Sequence, residues 1–132
     1  MKKIDWILLV DDDEIDRFVN EKIIRQCDVS FPVHAVQDAY GALEWIKEKA
    51  AGIVSNGENG LILLDINMPG MSGFEFLENY KEVYAHLKDY IDVVTLSSSN
   101  HRSDRQRMME LGAMAYYSKP LNHEDLKQIL EE

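Results

Sequence analysis

The chain reads as an α/β domain of five strand-helix pairs, (βα)5, forming a doubly wound five-stranded parallel sheet. Three observations predict this. Short apolar runs alternate five times with amphipathic ones along 132 residues. That alternation gives a parallel sheet with helices on both faces, because each right-handed crossover lays its helix over the sheet. The run Leu61-Ile62-Leu63-Leu64 lacks helical periodicity and stops at Asp65 and a Pro- and Gly-rich turn, as a strand buried on both faces does. The run Ile7-Leu8-Leu9-Val10 ends in the same way, at Asp11-Asp12-Asp13-Glu14. Two strand ends therefore carry carboxylates to the rim where open parallel sheets bind ligands.

In order, the pattern predicts a strand over 4–10 and a helix over 14–26, in which Ile15, Val19 and Ile23 recur at spacing four with Phe18 beside them. That stripe reads as mostly core, and Asp13 and Glu14 before it read as helix-capping acids. A strand over 32–36 and a helix over 39–51 follow, and then the Gly- and Asn-rich stretch 51–60, which reads as the longest surface loop. The third strand covers 61–64 and its helix 73–87. The fourth pair is a strand over 93–96 and a helix over 103–111. The fifth is a short strand over 115–117, where alternation predicts one buried and one exposed ring at Tyr116 and Tyr117, and a last helix from 124.

A chain of this length makes one compact domain, so residues 1–132 are read as a single unit. No stretch approaches the roughly 18 apolar residues of a membrane span, and charged Asp5 and Asp11 interrupt any leader-like run, so the expected location is cytoplasmic. Cys27 is the single cysteine, which excludes an internal disulfide and reads as a partly buried small residue. The net charge of -10 opposes binding to a phosphate backbone, so no direct nucleic-acid binding is expected. His34, His86, His101 and His123 lack zinc-ligand spacing and read as surface or boundary residues. His101, Arg102, Arg105 and Arg107 concentrate positive charge near the fourth helix and read as a solvated face.

Four strand ends carry polar residues to one edge: Asp11 and Asp12, Asp65, Ser97, and Lys119. Three carboxylates gathered there would repel by roughly 4 kcal/mol per pair at 4 Å and an effective dielectric near 20. A cation belongs among them, and Mg²⁺ is the natural one, since it takes hard oxygen ligands from one or two carboxylates.

In these motifs the chain resembles the response-regulator receiver domains of two-component signalling, over nearly its full length. Val10-Asp11-Asp12 is similar to the family's acidic pair and Asp65-Ile66-Asn67-Met68-Pro69-Gly70 to its phosphorylation loop. Leu96-Ser97-Ser98 is similar to its hydroxyl switch and Tyr116-Tyr117-Ser118-Lys119-Pro120 to its lysine motif. The resemblance implies a flavodoxin-like receiver fold and a stand-alone, chemotaxis-regulator-like switch that is not an enzyme beyond its own phosphorylation and dephosphorylation. It implies Asp65 as phosphoacceptor, with Mg²⁺ held by Asp12, Asp65, the backbone carbonyl of Asn67, and Asp11 directly or through water. Lys119 would pair with the phosphoryl group, while Ser97 and Tyr116 would switch conformation. Asn67 and Ser99 stand where dephosphorylation is tuned in the family, and the Lys119-Pro120 bond resembles one that is cis. The implied partners are a histidine kinase or histidine phosphotransfer protein and a downstream protein, with no membrane, the chain being a monomer or weak homodimer. The competing reading is a haloacid-dehalogenase-type phosphatase, in which Asp11 would be the nucleophile of an Asp-x-Asp motif.

Overall fold

A computed structural model of the chain describes residues 3–27, 30–99 and 101–131. Among the described residues, strands β1 (Trp6–Val10), β2 (Val33–Val36), β3 (Gly60–Leu64), β4 (Ile91–Ser97) and β5 (Ala115–Ser118) form one sheet in the order β2-β1-β3-β4-β5. All four pairings are parallel. Helices α1 (Glu14–Gln26), α2 (Ala39–Asn56), α3 (Gly73–Val83), α4 (Arg102–Glu110) and α5 (His123–Glu131) follow the strands in turn, so the expected (βα)5 architecture is the observed one.

The central strands β1 and β3 are buried at every residue, which is why their sequences are unbroken apolar runs. Ile7, Leu9, Leu61 and Leu63 face one way, onto Ile24 of α1 and Leu126 and Ile129 of α5. Leu8, Val10, Ile62 and Leu64 face the other, onto Ala42 and Ile46 of α2 and Phe76 of α3. At the end where β1 begins, Trp6 meets Trp45 of α2 edge to face, with ring centroids 4.8 Å apart.

Register delivers the polar residues to one rim. Val10 is opposite both Val36 and Leu64, and Leu64 is opposite Thr95. The ladder then continues one residue beyond the strands: Asp11 N–H donates to Val36 O at 3.2 Å, Asp65 N–H to Val10 O at 3.1 Å, and Lys119 N–H to Ser97 O at 3.0 Å. The backbones of Asp11, Asp65 and Lys119 are thus fixed by the sheet itself.

Four expectations are corrected, the last at Tyr116 and Tyr117. The helix expected over 39–51 continues to Asn56, so the stretch 51–60 is not a long loop. Ile53 continues the inward face set by Ala42 and Ile46, and the helix ends where Gly57 takes a φ of 62°, the left-handed conformation that suits glycine. The helix expected over 73–87 ends at Val83, and a 3₁₀ turn over Ala85–Leu87 follows. The third correction concerns which way α1 faces.

On α1 the expected stripe of Ile15, Phe18, Val19 and Ile23 is core only at Ile23, which is half-buried against the cluster beneath α1 and α5. Ile15 is 74% exposed and Phe18 68%, whereas Asn20 and Ile24 are buried. The inward stripe is Asp16, Asn20 and Ile24, one residue and about 100° round from the expected one. Asn20 Oδ1 accepts a hydrogen bond from Leu121 N–H at 3.1 Å, tying the helix to the loop after β5. Asp13 is the cap it was expected to be, its carboxylate accepting from Asp16 N–H at 3.0 Å.

Tyr116 and Tyr117 do not divide into one buried and one exposed ring. Both are half-buried, because β5 is an edge strand covered only in part by its neighbours.

Candidate functional site

Asp11 and Asp65 are buried at the carboxyl ends of β1 and β3, and Asp12 beside them is exposed. Carboxylate oxygens of all three lie within 4.8 Å of one another. Each buried acid has one oxygen committed to backbone. Asp65 Oδ1 accepts from Ile66 N–H at 2.8 Å, and Asp11 Oδ1 from Asp13 N–H at 3.0 Å. The second oxygens turn toward Lys119, whose side chain is 8% exposed.

The Lys119 ammonium lies 2.7 Å from Asp11 Oδ2, 3.1 Å from Asp65 Oδ2 and 3.2 Å from Asp16 Oδ2. Burial pushes the carboxyls of Asp11 and Asp65 above the usual range, outweighing the lowering effect of Lys119. For Lys119, burial by itself disfavours the charge, but its close contact with Asp11 and the charges of Asp65 and Asp11 overcome that and hold its pKa above the usual lysine value. One ammonium therefore faces three acids, with Asp12 adding a further negative charge that raises Asp65.

This donor set fits Mg²⁺. Asp11 Oδ2 is buried and, despite its ion pair, takes no aligned hydrogen bond, so it keeps lone-pair capacity. Together with the Asp12 and Asp65 oxygens it gives hard, anionic donors within one coordination sphere's reach. Asn67, two residues beyond Asp65, is exposed in the turn between β3 and α3, on the same side of the sheet.

Ser97 is fully buried at the end of β4, and its Oγ accepts from Ser99 N–H at 3.1 Å. Tyr116 donates its hydroxyl to Ser99 O at 2.8 Å. Both residues of the expected switch are therefore held on a single residue, Ser99, whose own hydroxyl donates to Asp104 Oδ2 at 2.7 Å. Ser97 ends β4, and its hydroxyl is bonded to the β4–α4 loop rather than to Asp65. The Lys119-Pro120 peptide is cis. On α4, Arg107 is not merely solvated, since its guanidinium sits 4.2 Å from the Phe74 ring centroid and meets Glu78 at 3.3 Å.

Two site residues escaped the sequence reading: Asp16, and Arg17, whose Nη1 donates to Asp11 O at 2.8 Å. Their only early sign was proximity, two and three residues beyond the acidic run.

An acidic cleft bridged by one lysine, at the carboxyl ends of parallel strands in order 2-1-3-4-5, defines a ligand site of the doubly wound α/β class. Within that class, the family model of the response regulator receiver domain matches residues 7–131. The chain belongs to that family, the receivers of two-component signalling.

Among curated relatives, two-component response regulator ARR3 of Arabidopsis thaliana is 35% identical over 126 residues, covering 93% of this chain and 53% of its own length. ORR6 of Oryza sativa subsp. japonica is 37% identical, covering 93% of this chain and 67% of its own length. The chain thus spans between about half and two thirds of those proteins. A two-component response regulator from Cytophaga hutchinsonii superposes with a TM-score of 0.86 at 31% identity, covering 98% of this chain and 96% of the other. The Mn²⁺-bound form of response regulator Rcp1 gives 0.71 at 25% identity, covering 96% and 89%. The phosphatase alternative finds no support: Asp13, its second acid, is spent capping α1, and the matching family is the receiver.

Proposed function

We propose that this receiver accepts a phosphoryl group on Asp65 Oδ2 from a phosphohistidine donor. The observation that carries this reading is the division of labour between the two Asp65 oxygens. Oδ1 is held by Ile66 N–H, while Oδ2 faces the cleft beside Lys119. In the transfer, an Oδ2 lone pair forms the O–P bond as the N–P bond of the donor breaks, and the electron pair leaves with the imidazole nitrogen. Lys119, already within 3.1 Å of Oδ2, neutralises charge on the phosphoryl oxygens as they arrive. Asp11, Asp12 and Asp65, with the Asn67 carbonyl, would hold Mg²⁺, which when bound supplies electrostatic relief for phosphoryl oxygens. That a structural neighbour, response regulator Rcp1, takes a Mn²⁺-bound form supports a divalent cation as ligand of this chain. The protein acts only on itself, as acceptor and as site of its own hydrolysis.

Output runs through Ser99. Were Ser97 Oγ to turn to the phosphoryl group, Ser99 N–H would lose its acceptor, and the loop carrying the Tyr116 hydrogen bond would be free to settle in a second arrangement. Input runs through α1, whose exposed Ile15, Phe18 and Val19 form an apolar face beside the cleft, suited to a helical phosphodonor such as a histidine kinase or phosphotransfer protein. Phe18→Glu should slow transfer from the protein donor by about tenfold or more relative to transfer from acetyl phosphate, an aromatic anchor being worth at least about 1.4 kcal/mol. Equal slowing with both donors would remove α1 from the docking surface.

The site reading is tested by incubating the protein with Mg²⁺ and acetyl phosphate and mapping the adduct by mass spectrometry. One acid-labile phosphoryl group at Asp65, lost with EDTA, is expected. Label at Asp11 would restore the phosphatase reading.

A further inference from the structure

The receiver motifs account for Asp11, Asp12, Asp65, Ser97 and Lys119, but they leave out the third carboxylate on the lysine. Asp16 reaches Lys119 from α1, and its Oδ2 takes a hydrogen bond from Nζ at 3.2 Å. An ammonium has three N–H donors. Here two go to Asp65 and Asp16 while the ammonium also lies 2.7 Å from Asp11 Oδ2, so three carboxylates already claim the charge that an incoming anion would need. Of the three contacts the Asp16 one is the longest, and its carboxylate is the most solvated, at 44% exposed against 1% and 6%. It is the partner Lys119 gives up at least cost.

We propose that Asp16 is a positioning residue for this site, holding Lys119 while the cleft is empty and competing with the bound phosphoryl group for the ammonium. The proposal rests on Asp65 being the phosphoacceptor. Its physical content is an exchange: as phosphoryl oxygens enter, one N–H swings from Asp16 Oδ2 to the anion, and the Asp16 carboxylate is released to water. Water receives it readily because it is already half exposed. Asp16 thus sets the affinity of the cleft for an anion, without touching the reacting atoms.

The placement of α1 makes the arrangement firm. Asp16 N–H is tied to Asp13 Oδ1, Arg17 Nη1 to Asp11 O, and Asn20 to Leu121 N–H. The helix is anchored on both sides of Asp16 to the segments that carry Asp11 and Lys119. The side chain therefore meets the lysine from a fixed direction.

The test is titration of beryllofluoride, a phosphoryl mimic, at saturating Mg²⁺ by calorimetry. The wild type is compared with Asp16→Asn, Asp16→Glu, Glu14→Gln and Lys119→Met, and with Asp16→Asn combined with Lys119→Met. Removing a competing ion pair with one nearly half-exposed partner should tighten anion binding about two- to fivefold. Asp16→Glu should restore wild-type affinity. Glu14→Gln removes the same charge from the same helix turn and should not tighten binding. On the Lys119→Met background the Asp16→Asn gain should vanish, as a double-mutant cycle requires of a coupled pair.

Unchanged or weaker binding in Asp16→Asn overturns the proposal. So does a gain that persists without Lys119, which would reduce Asp16 to general charge. Failure of the wild type to bind beryllofluoride, or binding that survives Asp65→Asn, would instead sink the phosphoacceptor reading and take this proposal with it.

Discussion

Asp65→Asn should yield a folded protein that takes no acid-labile phosphate from any donor, and that melts higher than the wild type in the absence of Mg²⁺ at neutral pH. The loss is complete because the amide has no nucleophilic oxygen to replace Oδ2, and no other acid in the cleft is placed for the attack. Asp11 Oδ2 is held against Lys119 at 2.7 Å and Asp12 is out in solvent. The gain in stability follows from the direction in which the fold moves the Asp65 carboxyl. Burial first, and Asp12 in addition, push its pKa above the unfolded value near 3.8 despite Lys119. A raised carboxyl favours the fold below its unfolded pKa, and that contribution is lost as pH rises through the folded value. At neutral pH the ionised acid is thus a net cost that the isosteric amide removes, while Lys119 keeps Asp11 and Asp16 as partners. The melting difference should shrink as pH falls toward 4. Thermal melts of both proteins at two pH values, with intact mass after acetyl phosphate, check both halves. An adduct of normal yield in the variant would overturn the assignment of Asp65.

Gly73→Ala should be the most damaging single methyl in the site. A Cβ at Gly73 would lie 2.4 Å from Asp65 O and 2.8 Å from Ile66 Cα, both backbone atoms that cannot swing away. Gly73 N–H also donates to Ile66 O at 2.8 Å, and Ser72 and Glu75 close a reciprocal cap around the helix start. The start of α3 therefore sits directly on the segment that carries Asp65. Alanine must either lift the helix or displace Asp65, at a cost of about 1–3 kcal/mol or more. Gly52→Ala, half-buried in the C-terminal part of α2 with only the Asn56 side chain within 4 Å, should instead stabilise by about 0.5–1 kcal/mol. Denaturant melts separate the two. Beryllofluoride affinity should fall in the Gly73 variant and stay level in the Gly52 variant. Equal stability of both would mean that the close approach at Gly73 is not maintained in solution.

Much of this site was legible in the chain because parallel strands announce themselves. A strand buried on both faces must be an unbroken apolar run, so the polar residue that ends it is marked, as at Val10-Asp11 and Leu64-Asp65. Helix ends were less legible. The stretch 51–60 looked like a loop by composition, yet buried Ile53 keeps α2 helical through Gly52 to the left-handed Gly57.

The orientation of α1 was illegible for a different reason. Periodicity locates an apolar stripe, but here Ile15, Phe18 and Val19 of that stripe face water and the inward one begins with Asp16 and Asn20. Their partners, Lys119 and Leu121, lie 103 and 101 residues further along the chain. A polar residue facing inward is justified only by the group it meets, and local pattern contains no trace of that group. Asp16 was missed through the same shift of one position.

The edge-to-face pair Trp6 and Trp45 has an optical consequence, since these are the chain's two tryptophans. Trp6 opens β1 and Asp11 lies just past its far end, so five residues at about 3.3 Å each put roughly 16 Å between the indole and the acidic cleft. Ultraviolet emission from this protein will follow the loss of its core on melting, yet remain dark to chemistry at Asp65. A flat emission trace during acetyl phosphate addition is therefore no sign of an inert protein, and the same flatness lets unfolding be monitored at constant gain whatever the state of the cleft.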